Sequence, residues 1–468
     1  MAVKVKNSDL VWSYAGTASS MLVNLVLLPV MIFFIESDEL GLWQIFISVG
    51  TLVTLLDFGF NPTIARNIAY CWSGAKDIAK TGKVELPEKS NVGPNFELLK
   101  KLTTTCRVLY GVISLVALLM LAAVATPYIV FVAGDAGSPS VFASWAVYAF
   151  AVILNLYYGY FATFLRGVGA IRSYYKIMTI SRFLQFLLSV TLMILGFGII
   201  APAIAYLAYG FLLRQASKHS FMRHNNIGDR LKGIPWKTPI AEVKRLFGIM
   251  WFNAWRDGLV SLSGYLAGQA TVLIAAVFLS LTETGIYSIS VQLITAIMTL
   301  SAVTYSAHQP ALQMAYFEGD IALSRFLMAK AMCHMIVIYV LLLAVLVTVG
   351  APLLSWIRPG VVFDAGVIAF LGIANFFYKR MQLYASFISN TNNVPYMLAF
   401  LISSASGIAL ASILMGPLHL GMWGLLVGQM LPQIYNYLKW PNEVYSMLNT
   451  SFIEMARLGL ESLRKSNN

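Results

Sequence analysis

The stretch TLLDFGFNPTIARN, Thr54 to Asn67, closes a long apolar run with a carboxylate, Asp57, and a guanidinium, Arg66, set around Gly59 and Pro62. A carboxylate in apolar surroundings can take up H+ or Na+. A guanidinium presents paired donors that match a phosphate. Two further charged pairs stand in apolar context: Arg256 with Asp257, and Lys379 with Arg380 in FFYKRMQLY. An ionisable group inside hydrocarbon costs at least a few kcal/mol, so it faces a wet cavity or an opposite charge.

The elements that must carry these groups follow from composition. The chain is 59% hydrophobic and 11% charged, with mean hydropathy +0.74, which is the make-up of a multi-pass membrane protein. About twelve apolar runs approach the roughly 20 residues that a helix needs to cross hydrocarbon, the sixth being short. They lie near 11–35, 41–65, 108–133, 141–165, 176–198, 200–214, 257–279, 285–309, 328–350, 364–389, 394–415 and 421–440. Trp12, Trp43, Trp145, Trp255, Trp356, Trp423 and Trp440 fall near their ends, as an interfacial aromatic belt requires.

Orientation follows from Lys and Arg. With the N-terminus inside, alternate loops collect Lys4 and Lys6, the series from Arg66 to Arg107, Arg166, Arg172, Lys176, the run Arg214 to Arg245, and the basic tail. The opposite loops hold Glu36, Asp38, Glu39, Asp135, Glu283 and Asp364 against Arg358 alone. The positive-inside rule then places both termini in the cytoplasm. Topology and anionic lipid account for the net charge of +12 without nucleic acid.

Each candidate keeps two readings. Asp57 lies about 24 Å down the second helix, where it either caps a fraying end or pairs with Arg66 or Arg107, or else binds the coupling ion. Arg66 is a positive-inside anchor or a phosphate receiver at the inner mouth. Arg256 either snorkels from an interfacial piece, KRLFGIMWFNAW, or guards the entrance with Asp257. Lys379 and Arg380 line a hydrated cavity if the tenth helix continues through them, and do not if it ends at Tyr378. Gln292 and Gln429 read as interhelical glue, and His308 and His334 as satisfied imidazoles.

Cys71 and Cys106 fall in the first inner loop and Cys333 near the ninth helix, with no spacing that suggests a disulfide or metal. The first apolar stretch is longer than a signal core and lacks a cleavage pattern before ESDE, so it reads as a retained helix. No Walker loop, dinucleotide fingerprint or HExxH is present, which leaves no direct use of ATP and no cofactor.

The chain also repeats itself. ELGLWQIFISVGTL, Glu39 to Leu52, matches ETGIYSISVQLITA, Glu283 to Ala296, and YFATFLRGVGAIRSY, Tyr160 to Tyr174, matches LYASFISNTNNVPYM, Leu383 to Met397. Two similarly oriented halves follow: 1–213, and 247–440 after a connector at 214–246, with a tail at 441–468. Transporters place their substrate sites between such repeats.

With GLWQIFISVGTLVTLLDFGFNPTIARNIAY in the second helix, TGIYSISVQL opening the eighth and SFISNTNNVPYMLAF between the tenth and eleventh, the chain resembles the Wzx-type polysaccharide flippases of the multidrug/oligosaccharidyl-lipid/polysaccharide exporter superfamily. The resemblance implies an all-α MATE-like fold of two six-helix bundles related by a pseudo-two-fold repeat. It implies alternating access that moves an undecaprenyl-diphosphate-linked oligosaccharide across a bacterial cytoplasmic membrane, coupled to H+ or Na+. Its implied partners are that lipid-linked oligosaccharide, membrane lipid and other polysaccharide-assembly proteins. On this reading Arg66, Arg256, Lys379 and Arg380 bind substrate, and Asp57 and Asp257 couple the ion. Two alternatives stay open. A multidrug or organic-cation antiporter shares the topology but calls for an acidic or aromatic pocket. A polymerase or glycosyltransferase calls for sizeable outer loops.

Overall fold

The structure, a computed structural model, describes Trp12, Ser19, Val23 and residues 26–57, 59–78, 93–234, 238–317, 319–357, 361–388 and 394–465. Within helices, the side chains of Pro62, Asn253, Asp257, Arg464, Lys465 and part of 307–317 lie outside the description. The described residues contain helices and turns and no strand. The chain forms two compact units, Met1–Leu262 and Ser263–Asn468.

In the first unit, α1 (Ser37–Thr54) starts with Asp38 and Glu39 in its first turn, where negative charge complements the helix dipole. It ends in a tight turn, Leu55–Asp57. The chain then restarts as α2 (Phe60–Trp72) after Gly59, whose φ of 69° suits glycine. The anticipated second helix is thus two helices broken beside Asp57. Next come α3 (Phe96–Met120), capped by Asn95 accepting from the Leu98 N–H, a π-helical turn at Leu121–Ala125, and α4 (Thr126–Ala133). After α5 (Pro139–Tyr158), capped by Ser138 with Pro139 in its first turn, follow α6 (Tyr160–Gly167), α7 (Ile171–Ile194) and α8 (Ile200–Arg223). An aromatic cluster of Trp43, Phe46, Trp145 and Tyr148 locks α1 to α5, with neighbouring ring centroids 5.1–6.4 Å apart.

The described part of the anticipated connector is mostly helical. Helix α8 runs through Arg214 to Arg223, and α9 (Ile227–Lys232) and α10 (Ile240–Ala267) follow. Lys100 of α3 donates to the Ile234 carbonyl, and Lys101 pairs with Glu242 at 3.4 Å. Cys71 and Cys106, expected in a loop, are buried at the end of α2 and on α3. The predicted loop before position 108 is helical at its two ends, as the last residues of α2 and the first turns of α3, and Lys100, Lys101 and Arg107 sit on the start of that longer α3.

The second unit takes the last residues of α10 and continues with α11 (Ala270–Phe278) and α12 (Leu281–Ser301). Ser280 and Glu283 close a reciprocal capping box at the start of α12. Then come α13 (Val303–Phe317), α14 (Ile321–Val345), a π-helical turn at Leu346–Gly350 and α15 (Ala351–Ile357). The π turn follows a 25-residue helix here as it does in the first unit. Helices α16 (Ala365–Ile388) and α17 (Met397–Met415) lead to α18 (Gly421–Met430), a tight turn at Leu431–Gln433 and α19 (Ile434–Met447). Beyond it, α20 (Phe452–Lys465) packs on α14, where Arg325 donates to the Leu448 carbonyl at 2.6 Å and pairs with Glu454.

Eight helical segments among the described residues are long and apolar enough to cross a membrane: Ser37–Asp57, Phe96–Ala136, Pro139–Gly167, Ile171–Ile194, Ala254–Phe278, Leu281–Ser301, Ile321–Ile357 and Met397–Met415. Their outward faces are apolar, as with Val112, Leu115 and Leu119 on α3 and Val337, Val340 and Leu341 on α14. Lipid wets such faces without cost, whereas water does not. Of the other four anticipated spans, the first lies largely outside the described residues. The remaining three are the helical stretches at 200–223, 365–388 and 421–447. Arg214, the Lys379–Arg380 pair, and Gln429, Gln433 and Asn436 lower their apolarity.

Candidate functional site

Helix α16 passes unbroken through Tyr378, so Lys379 and Arg380 stand on continuous helix. Leu371, Ala374, Asn375, Tyr378, Lys379 and Gln382, spaced three and four apart, form one face of it and line a cavity of about 300 Å³ within the second unit. Helix α12 supplies Tyr287, Val291, Thr295 and Thr299 at the same spacing, and α18, the turn after it and α19 supply Gln429, Gln433 and Tyr437. Among the described residues Lys379 is the one charged side chain in the lining, which is otherwise amide, hydroxyl and apolar and holds no carboxylate. Some of these groups are engaged: Tyr287 donates to Thr271 at 2.8 Å and Gln433 to Ser404 at 3.1 Å. The Gln429 amide nitrogen is buried with no partner. Such a surface offers one cation and several neutral donors and acceptors to a polyhydroxylated or anionic guest.

Arg380 is not part of that cavity. Being one residue on, it points to another side of the helix. There it donates to the Tyr445 hydroxyl at 3.1 Å and lies 5.7 and 5.8 Å from the Tyr384 and Phe452 rings. Tyr384 and Tyr445 hydrogen-bond each other at 3.0 Å. The expectation that both basic residues line one cavity is corrected: Lys379 does, and Arg380 is held by aromatic groups of α16, α19 and α20.

Asp57 sits in the first unit, at the break between α1 and α2. One carboxylate oxygen accepts from the Tyr110 hydroxyl at 2.5 Å, the other from the Asn61 backbone N–H at 3.2 Å. The Asn61 side-chain oxygen in turn accepts from Thr163 at 2.6 Å and from Arg166. A polar knot thus joins the break to α3 and α6. Neither Arg66 nor Arg107 is Asp57's hydrogen-bond partner, and the positive charge acting on it belongs to Arg166. The residue that precedes α2 is Gly59, and Asp57, two residues earlier, reaches the first turn of α2 through the Asn61 N–H. Sequence reading missed Asn61 and Arg166 as members of this knot. The signal was faint: a polar residue two positions past the helix-breaking Gly59, and an arginine at the end of an otherwise apolar run.

Arg66 is exposed on α2. Arg256 is exposed on α10, with its guanidinium 5.4 Å from both the Phe252 and Trp255 rings, an aromatic seat that keeps a cation at a surface. The side chain of Asp257 lies outside the described residues. His308 and His334 each place Nδ1 against the carbonyl four residues back, at 2.8 and 2.7 Å. Among the described residues no group of His, Cys, Asp and Glu is arranged to hold a metal.

No family model matches the chain, and no curated protein matches it in sequence. Solved structures share its fold. The lipid II flippase MurJ in an inward closed conformation is 12% identical with a TM-score of 0.67, covering 97% of this chain and 91% of its own. An inward-facing multidrug resistance MATE family transporter of the MOP superfamily is 15% identical with a TM-score of 0.65, covering 92% and 96%. A MOP superfamily transporter from Pyrococcus furiosus, described as having a binding pocket of reverse polarity, is 13% identical with a TM-score of 0.55, covering 96% and 98%. The chain is therefore a multi-pass membrane protein with the all-α, MATE-like fold.

Proposed function

We propose that the protein is a flippase that carries an undecaprenyl-diphosphate-linked oligosaccharide from the inner to the outer leaflet of a bacterial cytoplasmic membrane. The observation that carries this reading is the cavity of the second unit, which among the described residues has Lys379 as its one charge amid amides and hydroxyls and no carboxylate. Sugars bind through such neutral donors and acceptors, and an acidic sugar or a phosphate adds a charge for Lys379 to meet. An organic cation would find there a like charge and nothing to offset it, so the antiporter reading is disfavoured. The fold, shared with a flippase and with multidrug transporters, supports transport in general.

Arg66 and Arg256, both exposed, are proposed to receive the diphosphate, and Asp57 to couple the movement to H+ or Na+. The test is translocation in proteoliposomes. A fluorescent lipid-linked oligosaccharide in the inner leaflet should reach the outer leaflet under an imposed H+ or Na+ gradient, without change to its glycosidic bonds. Uptake or extrusion of an organic cation with no movement of lipid-linked sugar would overturn the reading.

A further inference from the structure

A second cavity, of about 150 Å³, lies wholly within the first unit between α5, α7 and α8. Arg182, Arg214, Asn155, Ser217, Tyr206 and Tyr209 line it, and among the described residues no carboxylate does. Arg182 stands about 16 Å along α7, near the middle of one of the eight membrane-length segments. Arg214, on α8, is 7% exposed. Among the described residues neither forms a salt bridge with an acid.

Their donors are only partly used. Arg182 donates one N–H to Gln185 at 2.9 Å and lies 4.2 Å over the Tyr209 ring, yet its Nε is buried with no partner. Arg214 lies 5.9 Å from the Tyr158 ring, and its Nη1 is likewise buried and unpartnered. Asn155 Nδ2 and Ser217 Oγ, on the same cavity, are in the same condition. Three N–H groups and a hydroxyl are thus buried around one space without acceptors.

Buried donors are ordinarily satisfied, and buried charges ordinarily paired. Water could accept from these donors but would leave both positive charges uncompensated. Aromatic faces offset a guanidinium only in part. What the space lacks is an acceptor-only group with negative charge, and guanidinium forks favour a phosphate oxyanion in particular. At about 30 Å³ per water, the volume admits such a group with a little water.

We propose that this cavity is a binding site for a phosphate-type oxyanion, held by Arg182 and Arg214 with Asn155 and Ser217 as neutral donors. The site stands on the first unit alone and holds whatever the cargo of the Lys379 cavity. The oxyanion's source is either free inorganic phosphate or the phosphate of a lipid headgroup.

Thermal melting of the delipidated full-length protein tests this. In phosphate-free buffer at constant ionic strength, adding inorganic phosphate, or phosphatidic acid in mixed micelles, should raise the wild-type midpoint by about 2–4 °C near saturation. Arg182→Gln and Arg214→Gln should lose the shift. Asn155→Asp supplies an internal carboxylate, so it should melt higher than wild type without phosphate and gain nothing from either ligand, which decides the matter even if an arginine variant fails to fold. A response to phosphate identifies a soluble anion, and a response to phosphatidic acid alone identifies a headgroup. A wild type indifferent to both, or an Asn155→Asp variant that keeps the full shift, overturns the proposal.

Discussion

Tyr110 of α3 and Asp57, 53 positions apart in the chain, meet in a hydrogen bond at the point where α1 gives way to α2. The bond places a carboxylate at a break in a helix, where a change in its charge acts on both segments at once. It is held by two donors on different oxygens, the Tyr110 hydroxyl and the Asn61 N–H; an asparagine there accepts from the Asn61 N–H through its oxygen and donates through its NH2 to the Tyr110 hydroxyl, which can also accept.

Asp57→Asn should therefore keep the fold, with a midpoint close to wild type, and lose the dependence of transport on an imposed pH or Na+ gradient. The reason is that an ion drives a switch only when its affinity differs between the two states. Tyr110→Phe removes one of the two donors and should cost about 1–3 kcal/mol of stability. Proteoliposomes carrying Asp57→Asn that respond fully to both gradients would leave Asp57 as a cap of α2 and nothing more.

Helices α17 and α18 touch where Gly428 faces Ala411. A Cβ on Gly428 would lie 2.5 Å from the Ala411 Cα and 2.6 Å from its nitrogen, and backbone atoms cannot step aside as a flexible side chain does. Close approach through small residues is a common way for helices to pack in lipid. Gly428→Ala should cost about 1–3 kcal/mol through overpacking, seen as a lower melting midpoint. Gly248→Ala, where a Cβ meets nothing within 4 Å, is the control and should match or exceed wild type.

Those two sites differ in how far the sequence announced them. Gly59, Pro62 and Asp57 at the end of an apolar run predict a weakened helix, and the break is there. The partners are another matter: Asn61 meets Thr163 and Arg166 across 102 and 105 positions, a separation that periodicity within one helix cannot register. Lys379 announced a cavity by its position in an apolar helix. Its neighbour Arg380 gave the same signal, and only the helix's rotation separates the two. The rest of the lining is hidden in the sequence because glutamines and threonines also serve as glue between helices, and Gln429, which lines the cavity, carries a buried amide nitrogen with no partner.

Arg245 binds Glu242 through two donors, at 2.8 and 2.9 Å, and Asp77 at 2.9 Å. It thereby ties the start of α10 to the segment after α2. The Arg245 hydrogen bonds hold the Glu242 carboxyl down at about 2, from its ordinary 4.5. A depressed acid stabilises the fold fully above its unfolded value and ceases to as pH falls through the folded one. The stability difference between wild type and Glu242→Gln, on the order of 1 kcal/mol after allowance for solvent screening, should stay constant from neutral pH to about 5. It should then shrink between about 4.5 and about 2. Hydrogen exchange at the start of α10, followed over that range, reads the effect. A difference that grows on acidification would mean that Arg245 does not hold Glu242 in solution.

Lys379 and Arg380 allow the cavity itself to be tested, because they are adjacent in sequence and serve different surroundings. In a Cys333→Ser background, where the buried Cys71 and Cys106 are shielded, Lys379→Cys should react with a water-borne thiol reagent. Arg380→Cys, covered by Tyr445, Tyr384 and Phe452, should react about tenfold more slowly or less, since thiol chemistry follows access. The transport phenotypes should divide the same way. Lys379→Gln keeps a donor but removes the cavity's charge, so it should weaken movement of lipid-linked sugar with little change in melting. Loss of one charge-assisted contact is worth about 1.5–3 kcal/mol, or roughly ten- to a hundredfold in affinity. Arg380→Gln gives up aromatic and hydroxyl contacts made within the protein and should lower the midpoint first. Equal labelling at both positions would mean that the helix is rotated from the register described, and the cavity would then have to be assigned to Arg380 as well.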